Sequence, residues 1–159
     1  MQELFATIEG SNVSTWLRES NTIWAYPLVL TLHTVGLALL VGANTTLDLR
    51  LLGFGRRIPL SVMQQSFRVM WAGFWINAIS GAFLFAADAT TKGSTRLFAL
   101  KLGLVLLGVI VIVATRRTVF VEGIDVDGIS VSGLAKTLAV LSLLIWVTAI
   151  TAGRLMAYV

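Results

Sequence analysis

The sequence predicts an all-α polytopic membrane protein, a bundle of four transmembrane helices preceded by a short amphipathic helix at the interface. Three observations carry this. Of 159 residues, 57% are hydrophobic and 13% charged, where a soluble domain carries about 25% charged residues. Mean hydropathy is +0.87. The charges also gather in short patches between long apolar runs, the pattern of helices threaded through lipid. Four spans of roughly 20 residues with short connections use up the length, so residues 1–159 form a single membrane domain.

Residues 1–20 form the interfacial segment, in which Phe5, Ile8, Val13, Trp16 and Leu17 recur at helical spacing around a break at Gly10-Ser11-Asn12. No basic n-region precedes a short apolar stretch, so this is no secretory signal and the first span is expected to be retained. That span covers about 22–47 and opens with the interface-favouring Trp24 and Tyr26, with Pro27 a mild kink. The second, about 61–87, follows Arg50 to Arg57 and Pro59. Its first turns hold Gln64, Gln65 and Arg68. The third, about 97–115, is mostly Leu, Val and Ile, and the fourth covers about 133–158. Between them, Val119 to Val131 alternates apolar and polar residues and suits a loop or hairpin. Small residues four apart, Ala38 and Gly42, Ala78 and Ala82, Ala149 and Gly153, mark the expected helix contacts.

Composition excludes several functions. Without cysteine there is no disulfide, thiolate metal site or cysteine nucleophile. The net charge of +4 does not point to nucleic acid, because the basic residues flank apolar segments as topology signals and lipid head-group contacts. Arg50, Arg56, Arg57, Arg68, Arg116, Arg117 and Lys136 fall on one side, against Arg18, Lys92, Arg96, Lys101 and Arg154 on the other. That bias places both termini outside the cytoplasm. No phosphate loop, dinucleotide fingerprint, Ser-His-Asp arrangement or HExxH motif occurs. Asp125-Val126-Asp127-Gly128 resembles the start of a calcium loop, but Lys136 stands where the bidentate Glu belongs, so it is a turn.

His33 is the single histidine and lies about ten residues into the first span. An imidazole at that depth is costly unless it faces the protein interior. It suits an axial haem ligand or a metal ligand; a hydrogen bond to Asn77 or Ser80 on a neighbouring helix is the equal alternative. Gly36, one turn on, would leave room for a flat cofactor or for another helix. Lys101 and Arg154 sit one turn inside the same boundary. Each alone is expected to snorkel, and together they would suit an anionic group such as haem propionates, a quinone oxygen or a lipid phosphate. Trp75 would line a planar cofactor or pack on a helix, as would Trp146. Met70 is expected to fill core.

Leu32-His33-Thr34-Val35-Gly36-Leu37-Ala38-Leu39-Leu40-Val41-Gly42, followed by Asp48-Leu49-Arg50-Leu51-Leu52-Gly53, resembles an uncharacterised bacterial family of small four-helix inner-membrane proteins. Lys101 and Gly153-Arg154-Leu155-Met156-Ala157-Tyr158 fit the same resemblance. The family is loosely similar to the copper-resistance D and cytochrome-b-like groups, which implies haem or copper handling through a histidine placed as His33 is. This chain lacks their second transmembrane histidine, which puts a bis-histidine site within one subunit in doubt. Three functions compete. The first is a haem b- or metal-binding protein of the inner membrane in electron transfer, with His33, Gly36, Trp75, Lys101 and Arg154 around the cofactor. The second is a non-catalytic assembly subunit in a homo-oligomer or larger membrane complex. The third is a small channel or transporter.

Overall fold

The computed structural model describes residues 2–55, 57–121, 131–156 and 158. The helices are α1 (Gln2–Glu9), α2 (Asn12–Glu19), α3 (Tyr26–Leu52), α4 (Leu60–Met63), α5 (Ser66–Ala87), α6 (Ala89–Gly93), α7 (Arg96–Arg116) and α8 (Gly133–Leu155); a π-helical turn, Arg117–Val121, extends α7. Among the described residues there is no strand. The calcium-loop-like Asp125 to Gly128 and most of the loop expected over Val119 to Val131 lie outside the described residues.

Four helices are long and apolar enough to cross a membrane: Tyr26–Leu52, Leu60–Ala87, Arg96–Phe120 and Gly133–Leu155. Their ends follow local chemistry. The first starts four residues later than hydropathy suggests, because Pro27 sits in the first turn, where its missing N–H costs nothing. Pro27 therefore starts the helix and does not kink it. At the other end α3 runs on past Leu47 to Gly53, whose φ of 106° forms a left-handed cap. This extension brings Asp48 into the helix. Ser132 caps α8, accepting from Ala135 N–H at 3.2 Å.

The helices pack in the order α5, α3, α8, α7, while α5 and α7 scarcely touch along most of their length. Two glycine contacts set the spacing. A Cβ on Gly36 would lie 2.6 Å from the Asn77 backbone nitrogen, and one on Gly73 would lie 2.5 Å from that of Leu40. The α3 and α5 backbones therefore touch. On α7, Gly108 makes room for a side chain instead, since a Cβ there would meet the Trp146 ring at 2.9 Å. The expected small pairs on α3 and α5 are not the contacts: Ala38, Ala78 and Ala82 are exposed, and nothing approaches Gly42 within 4 Å. Of the fourth-span pair, Ala149 is buried in the core and Gly153 packs on the Lys101 side chain. The core of Leu40, Leu47, Leu51, Phe67, Met70 and Trp146 fills the middle and the end away from the termini.

The interfacial segment is two helices folded over the termini end of the bundle. Leu17 is buried with Ala25 and Ala87, Phe5 sets its edge on Phe85, and the Ser14 hydroxyl donates to the Ala86 carbonyl. The apolar face predicted for this segment is thus divided, since Val13 and Trp16 remain exposed while Phe5 and Leu17 turn inward. Glu9 fastens the arrangement, accepting from the Thr90 backbone N–H at 2.8 Å and from its hydroxyl, and pairing with Arg18 at 2.8 Å. Those Thr90 donors first, and then Arg18, hold the Glu9 carboxyl below the usual glutamate range. A depressed folded-state pKa means the contribution is present at neutral pH and is lost as pH falls through that lowered value. Hydrogen-exchange protection of residues 2–19 should therefore drop as pH falls below the ordinary glutamate range, while the spans stay protected. Glu9→Gln should show the loosened state already at pH 7. Unchanged protection of residues 2–19 in Glu9→Gln at pH 7 would contradict this role.

Candidate functional site

His33 faces α5 from the half of α3 nearer the termini. Its Nδ1 lies 3.0 Å from the Asn77 carbonyl oxygen and 3.2 Å from Ser80 Oγ. Asn77 returns the contact, its side-chain amide donating to the His33 carbonyl at 2.8 Å. A carbonyl only accepts, so Nδ1 carries the proton. The Ser80 hydroxyl donates to the Ile76 carbonyl, which leaves its lone pairs toward the ring. The neutral ring then has its lone pair on Nε2, the nitrogen able to ligate a metal or take a proton. Gly81 makes room for the ring edge, since a Cβ there would come within 2.9 Å of His33 Cε1.

Lys101 projects from α7. Its aliphatic stem crosses the α8 backbone at Gly153, where a Cβ would meet Lys101 Cε at 3.3 Å. Among the described residues Lys101 has no hydrogen-bond or ion-pair partner. The structure thus sets Asn77, Ser80 and Gly81 around the His33 ring, while Lys101 packs on α8 at Gly153.

Three other residues expected at the site stand elsewhere. Gly36 opens no space beside the imidazole, because the α5 backbone at Gly73 and Asn77 fills it. Of the two occupants the sequence allowed there, the second helix is the one present. Trp75 is 59% exposed on the outer face of α5, touching the Phe74 ring and lining no interior surface. Arg154 points outward from α8 and does not converge with Lys101. Met70 fills the core, 1% exposed, and Trp146 is buried against Gly108.

A second polar centre lies further along α3 and was missed from sequence. The Asn44 amide donates to Asp48 Oδ2 at 2.7 Å and to Ser142 Oγ of α8 at 2.6 Å, and the Ser142 hydroxyl bonds the Asp48 carboxyl. Asp48 is 1% exposed, Asn44 2% and Ser142 1%. No cation pairs with this carboxyl among the described residues. Nearby, Thr115 Oγ1 and Trp146 Nε1 are buried with no partner among the described residues. The available signal was the four-residue spacing of Leu40, Asn44 and Asp48, one inward stripe with His33 and Gly36. Asp48 reads as a boundary residue only if the span stops at residue 47.

Among the described residues no three His, Asp or Glu side chains converge to hold a bare metal ion. A tetrapyrrole makes a smaller demand, since it supplies four of the metal's ligands and needs one or two from protein. His33 Nε2 has no hydrogen-bond partner among the described residues and is the atom here that could serve as such a ligand. A family model described as a family of unknown function (DUF6644) matches residues 11–159. No curated protein and no solved structure matches.

Proposed function

The chain belongs to the family of unknown function DUF6644, and from its own residues we propose a haem b protein of the bacterial inner membrane, with His33 as axial ligand, working in electron transfer. The observation that carries this is the clamping of Nδ1 by the Asn77 carbonyl, which fixes the ring and presents Nε2. Metal-binding histidines are held in the same way, by a backbone carbonyl or carboxylate on the other nitrogen. A bound haem would supply one-electron chemistry within the apolar layer. The protein's part would be to orient the imidazole through Asn77, Ser80 and Gly81, with Lys101 as a cation that could neutralise a carboxylate of the group. With one histidine in the chain, the sixth position is left to a second copy, a small molecule or no ligand. Both termini lie on the extracytoplasmic side, consistent with the arginine bias toward the other end.

Protein purified in detergent from haem-replete cells should show a Soret band that His33→Ala removes. Lys101→Ala should keep the band but release haem about tenfold more readily, the loss of one hydrogen bond to a charged group. A colourless wild type would overturn the proposal. His33 would then be a packing hydrogen bond of an assembly subunit, and His33→Ala would lower the melting temperature only.

A further inference from the structure

The separation of α5 from α7 leaves a trough on the outer surface. At the end away from the termini it widens to a cavity of about 290 Å³ lined by Phe67, Trp71, Ile112, Arg116 and Arg117. Toward the middle, Trp71 and Ile112 also border a crevice of only about 10 Å³ with Phe74 and Val109, so the open space is at the arginine end. Trp71 and Phe74 meet edge to face at 5.7 Å and make an aromatic wall. From Ile112 to Arg116 the α7 wall of the open cavity is about 6 Å long at the helical rise. Arg116 and Arg117 close its end, exposed and without hydrogen-bond or ion-pair partners among the described residues. An apolar cavity walled by Trp71 and Ile112 and ending in two cations complements a molecule with an acyl chain and an anionic head.

We propose that this trough is a binding site for one anionic phospholipid, its chain along Trp71 and Ile112 and its phosphate on Arg116 and Arg117. The position suits it, because the arginines end a span and so meet the head-group layer while the aromatic wall lies among the chains. A surface topology signal would need only the charges. Here they border an apolar cavity of about 290 Å³. The site is separate from His33 and stands whether or not haem is bound.

The test is fluorescence quenching in phosphatidylcholine bilayers containing either acyl-brominated phosphatidylglycerol or acyl-brominated phosphatidylcholine. The signal of Trp71 is isolated as the difference between wild type and Trp71→Phe. Brominated phosphatidylglycerol should quench Trp71 at a mole fraction on the order of tenfold lower. Arg116→Gln with Arg117→Gln should erase that preference, and Arg116→Lys with Arg117→Lys should retain most of it. Coincident quenching curves for the two lipids in the wild type would overturn the site. So would a dimer whose Trp71 neither lipid quenches, since a second copy would then occupy the trough.

Discussion

Gly73→Val is expected to dismantle the contact on which α3 and α5 depend, with loss of the monodisperse folded protein in detergent. A side chain at this position starts 2.5 Å from the Leu40 nitrogen, 2.8 Å from the Gly36 oxygen and 2.9 Å from Leu39 Cβ. Two of these are backbone atoms of a helix, which no rotamer change can move. The helices must separate. Overpacking in a rigid core costs about 1–3 kcal/mol, and here the cost spreads, because apolar surroundings give helices no reason to associate beyond packing and polar contacts. The His33–Asn77 pair lies on the same contact and would be pulled apart with it. Gly42→Ala is the control, with open space at its Cβ, and should change stability by less than about 0.5 kcal/mol. Thermal unfolding of both variants decides the matter, and equal melting temperatures would rule out a touching crossing.

The same contact shows how far the sequence could be read. Hydropathy located four spans because each must carry a long apolar run whatever it packs against, and all four helices are present. Periodicity could not say which small residue meets which. Gly36 and Gly73 each stand alone on their helices and pair only across them, whereas the visible small-residue pairs on α3 and α5 face outward. Register between helices is not written in either segment. The same gap explains the site. Asn77 and Ser80 were nameable as partners of His33 because both are polar residues at similar depth on an adjacent span. That Lys101 packs on α8 at Gly153 while Arg154 is exposed depends on the rotation of α7 and α8, which the near-uniform apolar composition of α7 leaves open. Trp75 failed for a related reason: an aromatic residue on a span is equally suited to core and to the outer face.

Asn44→Ala is expected to cost about 3 kcal/mol of unfolding free energy, because one amide serves two buried acceptors, and each buried group left unsatisfied costs about 1–3 kcal/mol. Removing it strips a donor from Asp48 Oδ2 and one from Ser142 Oγ together. Water cannot replace it, since all three residues are at most 2% exposed. Ser142→Ala alone should cost less, as Asn44 keeps its bond to Asp48. The double variant should fall short of the sum by about 1 kcal/mol, within the range for residues sharing one network. Strictly additive losses in reversible detergent unfolding would mean that the three side chains are neighbours without being coupled. Asp48→Asn supplies the sharper contrast. Its amide oxygen can still accept from Asn44, so it should be tolerated far better than Asn44→Ala. That ordering places the organising role on the uncharged residue, and it follows from geometry: Asn44 bridges α3 to α8, whereas Asp48 is bonded to Asn44 and Ser142, which Asn44 already links.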